Sequence, residues 1–482
     1  MRPCSPILLI LFLCLFGCRD EAPQQAPPSS PTQAQKPAPP IGCRNCHTEV
    51  SLDAAHSLSC TSCHQGKNNT ADIQVAHEGL ISLPAHPEQM KNGCGSCHPQ
   101  QVKSITSNIH FTLEGKINQT REHFGSTSER VTLIDLPSHS EITTKSELVD
   151  DLLKRRCLRC HLYSHGDDYP YVFHGTGCAA CHLSFTESRL DTHHFIKPTG
   201  KQCQSCHYGN YVGGDYSGGF ENDYNWEYRT PYAVRKPYLR PFGVEQQNLA
   251  PDIHYQRGLD CIDCHSVHNN GGKLSCATCH DRQQAATQAG PHIQKNGEQY
   301  VLTASSGKLH VIPMLQHPAH KKYGARVACQ VCHGQWSFND STTHLMLSMT
   351  DEYDLWERLT VQSSSEVETL LEHNLYSDED EYPPAMKDGV TGELRNGFWL
   401  KGYTQRRWED MIIRKDQDDI IKVFRPILDL RLSMISEYEE LLFDNVKGNT
   451  SGLRPYTPHT TGHAGLYYKD RFRKLLSPEQ QQ

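Results

Sequence analysis

Residues 157–207 read CLRCHLYSHGDDYPYVFHGTGCAACHLSFTESRLDTHHFIKPTGKQCQSCH. Three times in this stretch, two cysteines separated by two residues are followed at once by histidine: Cys157/Cys160/His161, Cys178/Cys181/His182 and Cys203/Cys206/His207. Working outward, the same unit recurs as Cys43/Cys46/His47, Cys60/Cys63/His64, Cys94/Cys97/His98, Cys261/Cys264/His265, Cys276/Cys279/His280 and Cys329/Cys332/His333. The nine units absorb eighteen of the 21 cysteines, and the other three, Cys4, Cys14 and Cys18, lie near the N-terminus. No cysteine is left for a disulfide framework.

The spacing has a chemical meaning. Two thiols three residues apart meet the two vinyl groups of one porphyrin, and the imidazole that follows reaches the iron from the same face. Zinc knuckles and thioredoxin-type disulfides also use paired cysteines, but neither needs histidine at that one position. At a histidine frequency of about 6 %, nine such coincidences have odds on the order of one in 10^11. The sequence therefore predicts nine covalently attached haem c groups with His47, His64, His98, His161, His182, His207, His265, His280 and His333 as proximal iron ligands. The chain of 482 residues is only 37 % apolar and 8 % aromatic, so cofactors would supply much of the core volume around the motif cysteines.

A second ligand on each iron separates electron transfer from catalysis, because an iron held on both faces has no place for substrate. Seventeen histidines outside the motifs lie between residues 43 and 344, more than the nine required. The distal candidates among them are His56, His77, His86, His110, His174, His193, His254, His268, His317 and His320. Methionine, which raises haem potential, is scarce there: only Met90 and Met314 precede the last residues of this span. Bis-histidine ligation and low potentials are expected. His56 and His174 each stand four residues before a first cysteine and are expected to reach a neighbouring haem rather than their own.

The organisation along the chain follows. Residues 1–17 read as an export signal, and Leu15-Phe16-Gly17-Cys18 has the layout of a lipobox, with Cys18 the acylated first residue of the mature protein. Arg19 in place of an aspartate favours the outer membrane. Residues 18–42 are rich in proline and glutamine and read as a tether of roughly 25–30 Å as a coil, or up to about 70 Å as polyproline II. Residues 43–333 form the nonahaem domain. Residues 334–482 hold no cysteine and read as a small haem-free region that packs on it. The expected fold is mostly irregular, with short α-helices around packed haems, followed by this α+β region. In it, residues 353–374 have helical spacing in two pieces broken at Ser363-Ser364-Ser365, and residues 420–436 carry strand-like alternation. The run Asp378-Glu379-Asp380-Glu381 reads as a solvated loop.

Several stretches, including CLRCHLYSHG (157–166), QCQSCHYGNYVGGDY (202–216), PDIHYQRGLDCIDCH (251–265), ACQVCHGQW (328–336) and PYTPHT (455–460), resemble large multihaem c-type cytochromes of bacteria that respire on metals, sulfur and nitrogen compounds. A more distant similarity is to octahaem tetrathionate reductase and hydroxylamine oxidoreductase. The resemblance implies His56, His77, His110, His193, His254, His317 and His320 as distal ligands and adds His459, whose partner the sequence leaves open. Those enzymes keep one special haem, and no Cys-x-x-Cys-Lys variant marks one here. The function expected is electron transfer between a membrane-linked donor, such as a quinol-linked or periplasmic cytochrome, and a terminal acceptor or outer-membrane conduit. The alternative is a haem-dependent oxidoreductase acting on a small sulfur or nitrogen compound at one open iron. A net charge of -8, to which propionates would add, excludes nucleic acid as a partner.

Overall fold

A computed structural model describes residues 41–126, 129–209, 212–222, 240–268, 275–287, 292–340, 342–402, 406–426, 429–449 and 452–477. The export signal, Cys18 and all but the last two residues of the tether lie outside the described residues. So do residues 223–239.

Apolar packing is uneven along the chain. Between Cys43 and Asn108 the only buried apolar side chains are Ala85 and Met90, and helices there are three to eight residues long. Cysteine, glycine and polar turn residues recur too often in this part for an apolar stripe to develop over several helical turns.

The largest core has a different make-up. Helices Glu114–His123 and Lys145–Leu152 contribute Ile117, Leu148, Val149 and Leu152, all at most 1 % exposed. They pack with a four-stranded sheet whose strands lie in the order Phe398–Lys401, Thr343–Ser348, Leu430–Ile435, Leu441–Lys447. Thr343–Ser348 and Leu430–Ile435 are parallel, with Leu345 opposite Leu432 and Leu347 opposite Met434, while the two outer pairings are antiparallel. Because side chains alternate across a strand, these four residues share the buried face. A parallel pair needs a long crossover. It is supplied by residues 349–429, which include the 3-10 turn Tyr353–Leu359 and the helix Ser365–Tyr376, separated at Ser363 in the left-handed region (φ 53°).

A second core joins the ninth motif to the C-terminus: Val327 and Val331 pack with Ile421, Val423, Phe472 and Leu476. The region after residue 333 is thus a mixture of helix and sheet, but its main core includes residues 117–158, so apolar packing crosses the boundary drawn from the sequence. No helix among the described residues is long and apolar enough to cross a membrane.

Candidate haem sites

In eight of the nine motifs the backbone winds a single helical or hydrogen-bonded turn, which sets both thiols on one side with the imidazole one turn above the first. The histidine N–H donates to the carbonyl of the first cysteine at 2.8 Å in Cys43–His47 and Cys261–His265, 2.9 Å in Cys60–His64 and Cys94–His98, and 3.0 Å in Cys178–His182. Gly200–His207, Cys276–His280 and Cys329–His333 place the same turn within a helix.

Cys46 stands on the first of these turns. It is exposed, because the four-residue helix Cys43–Cys46 buries none of its residues against the rest of the chain. Cys97, Cys276 and Cys329 are exposed likewise, while the remaining motif thiols are partly buried.

Each of the eight imidazoles faces a second imidazole across a narrow gap. The ring centres are separated by 6.2 Å for His47 and His77, 6.3 Å for His98 and His56, and 6.3 Å for His64 and His193. They are 6.2 Å apart for His182 and His268, 6.1 Å for His207 and His110, and 6.3 Å for His265 and His459. For His280 and His254, and for His333 and His320, the distance is 6.1 Å. A metal–imidazole bond of about 2.0 Å and a ring radius of about 1.1 Å, each counted twice, call for about 6.2 Å. The donor set therefore fits one iron between each pair. Among the described residues no three His, Cys, Asp or Glu side chains converge on a metal position, so each pair would leave the remaining positions to a porphyrin.

The imidazoles are oriented through Nδ1. His64 donates to the Ile81 carbonyl at 2.9 Å, His182 to Ile196 at 2.9 Å, His280 to Pro313 at 2.8 Å and His333 to Gly462 at 3.0 Å. That bond leaves Nε2 free for a metal. On the facing side, Asp53, Asn108 and Asp252 cap short turns and accept from Nδ1 of His56, His110 and His254. Asp53 is held down to about 2, first by the backbone N–H of Phe195 and then, against desolvation, by His56. Burial of Asp252 opposes its ionisation most strongly, but His254 and the amides of His254 and Thr461 outweigh it and keep this carboxyl below its ordinary value.

The thiols of different motifs also meet. Cys94 lies within hydrogen-bonding reach of Cys178, Cys203 of Cys261, Cys276 of Cys329, and Cys160 of Cys206. Cys63 is a close electrostatic neighbour of Cys94 and Cys97, Cys203 of Cys181, and Cys264 of Cys279. A cavity of about 430 Å³ is lined by Arg44 and Asn45 of the first motif and Cys60 of the second. The thiol approaches run through the motifs in the order second, third, fifth, sixth, seventh, eighth, ninth, with the fourth as a branch from the sixth, and the first motif shares the cavity with the second.

The fourth motif departs in its turn and in the ring that neighbours its histidine. The chain leaves helix Lys145–Leu152 through a wide turn, Leu153–Cys157, which ends at Leu158, so Cys160 and His161 lie beyond it. Among the described residues no imidazole faces His161; Tyr163 is its ring neighbour, at 6.2 Å, and its Nε2 is buried without a hydrogen-bond partner. Burial, then the nearby His174, pushes His161 down to about 4. Three distal candidates make no such pair. His174 is buried, donates from Nδ1 to Gly175 at 2.7 Å and sets Nε2 3.4 Å from Cys206 Sγ. His86 packs edge-on against Tyr163 at 5.6 Å, and His317 caps helix Pro318–Tyr323 beside His320.

Sequence reasoning missed Lys116. It is exposed, yet desolvation lowers its pKa, with the Cys157 thiol the main opposing influence. Nothing in its local sequence distinguishes it from a surface lysine on helix Glu114–His123.

No family model, curated protein or solved structure matches this chain.

The fourth motif also has the firmest support. Arg155 donates to Asp151 from Nε at 2.9 Å and Nη2 at 2.7 Å, and to the Gly397 carbonyl at 2.6 Å; Trp399 Nε1 donates to the same carboxylate at 2.8 Å. Gly389 closes over it: its N–H donates to the Lys154 carbonyl at 3.0 Å, and a Cβ there would meet that oxygen at 2.9 Å and that of Leu158 at 3.1 Å.

Proposed function

We propose that the chain is a nonahaem c-type cytochrome that relays electrons between a membrane-linked donor and a periplasmic or extracellular acceptor. The observation that carries this is the eightfold recurrence of a motif histidine facing a second histidine at 6.1–6.3 Å. When bound, haem c would supply one-electron chemistry at iron. The cysteines would tether each porphyrin, the paired imidazoles would close both iron faces against substrate, and the Nδ1 acceptors would fix ring orientation. The contacts between thiols favour a relay, since cysteines that meet would bring the edges of their porphyrins together. Acylation of Cys18 would station the protein at the outer membrane through a lipid anchor, with redox proteins as its partners.

A second reading, a reductase or oxidase of a small sulfur or nitrogen compound, is favoured by the fourth motif. There Tyr163 is the ring neighbour of His161, His174 bears on the charge of His161, and Lys116 bears on that of Cys157.

Mass spectrometry of the purified protein together with electron paramagnetic resonance tests both readings. The relay predicts nine covalent haems, acyl chains on Cys18 and low-spin ferric signals for at least eight. Fewer than eight low-spin haems would overturn it. A high-spin or lysine-ligated signal of about one haem in nine supports the second reading, and nine bis-imidazole signals overturn it.

A further inference from the structure

Resting on the haem reading, three distal imidazoles differ in the acceptor that their Nδ1 meets. His56 Nδ1 lies 3.0 Å from both oxygens of Asp53, and His254 Nδ1 lies 2.8 Å from Asp252 Oδ1. His110 Nδ1 makes the same local contact with a neutral amide, Asn108 Oδ1, at 2.8 Å. All three acceptors cap the turn that carries their histidine, so the geometry is matched and the charge differs. A carboxylate draws the Nδ1 proton toward itself, makes Nε2 a stronger donor and adds negative charge near the iron; both effects favour the ferric state.

We propose that Asp53 and Asp252 are positioning residues that hold the irons of the third and eighth motifs at lower potential than those whose imidazoles donate to neutral acceptors. Asp252 acts more strongly, because its side chain is 3 % exposed against 21 % for Asp53, and water screens the latter. In the order of thiol contacts these two motifs flank the fifth, sixth and seventh, from which the fourth branches. An electron entering from either end meets one uphill step before this central group and another beyond it. Electrons are therefore retained in the centre, beside the one motif that lacks a facing imidazole. Transfer is of single electrons between irons, and no bond forms or breaks.

Asp252 has a further connection. Its Oδ2 accepts from the Thr461 N–H at 2.6 Å, two residues beyond His459, and the Gly462 carbonyl accepts from His333. One C-terminal segment thus carries the imidazole that faces His265, bonds the carboxylate that holds His254 and accepts from His333.

The test is a potentiometric titration of the full-length holoprotein, read by electron paramagnetic resonance, for Asp53→Asn, Asp252→Asn and Asn108→Asp. Asparagine keeps the capping oxygen, and haem count by mass verifies assembly in each variant. Asp252→Asn is expected to raise one of the two lowest-potential steps, Asp53→Asn to raise the other by less, and Asn108→Asp to lower a third. Unchanged potentials, or a uniform shift of all haems, would overturn the proposal while leaving the haem reading intact. A wild-type protein with fewer than eight low-spin haems would instead overturn the haem reading itself.

Discussion

At the scale of the residue, the decisive quantity is the gap between two imidazoles. His459 illustrates it: the residue lies far from any motif in sequence, yet its ring stands 6.3 Å from His265 and edge-on to Tyr216 at 6.5 Å. His459→Ala is expected to leave the Cys261/Cys264 haem covalently attached but open on one face. The measurement is an optical and paramagnetic spectrum of the ferric protein, in which one haem in about nine should move from low to high spin, with total haem unchanged. A spectrum identical to wild type would show that His459 is not a ligand.

At the scale of the element, most helices here are too short to stand alone, so local caps and tertiary partners carry them. Lys145–Leu152 shows both. Thr144 accepts from the Glu147 N–H at 3.3 Å while Glu147 accepts from the Thr144 N–H at 2.8 Å, a reciprocal cap that begins the helix leading into the fourth motif. Thr144→Ala should cost about 1 kcal/mol in urea unfolding. The Glu147 carboxyl is held down to about 2 from an ordinary 4.5, chiefly by the backbone N–H groups of Thr143 and Thr144. A folded-state value below the unfolded one means that its contribution is complete above pH 4.5 and disappears as pH falls to about 2. The difference in unfolding midpoint between wild type and Glu147→Ala should accordingly be constant above the upper limit and close toward the lower one. A difference that persists at the acid end would contradict the sign.

At the scale of the whole molecule, two kinds of core coexist. The sheet of Thr343–Ser348, Phe398–Lys401 and Leu430–Ile435 buries Leu347, Trp399 and Leu432 without any exposed surface, whereas the first three motifs sit in a stretch with almost no buried apolar side chains. Haem-free protein, made without the attachment machinery, should therefore keep slow amide exchange in these strands and in helix Lys145–Leu152. Residues 43–110 should exchange at the unfolded rate. Equal protection of both parts would mean that polypeptide packing alone organises the motifs.

Part of this was legible in the chain alone. The nine motifs, the low apolar content of the chain, the helical spacing over 353–374 broken at Ser363-Ser364-Ser365 and the strand-like alternation over 420–436 follow from composition, spacing and periodicity, which need no tertiary structure. A one-turn Cys-x-x-Cys-His unit needs no distant partner to form. The cover over its thiols does, which is why Cys46 can obey the motif and still lie exposed. The facing imidazole depends on folding too, and sequence reasoning could only name eleven candidates without pairing them. Folding brings eight of them opposite a motif histidine and leaves His86, His174 and His317 elsewhere. The same holds for the exceptional status of the fourth motif, because its sequence obeys the rule that its environment breaks. Short-range chemistry is written in residue order, while the pairing of imidazoles and the order of approaches between thiols depend on which distant segments share a core. Only the tertiary structure decided those.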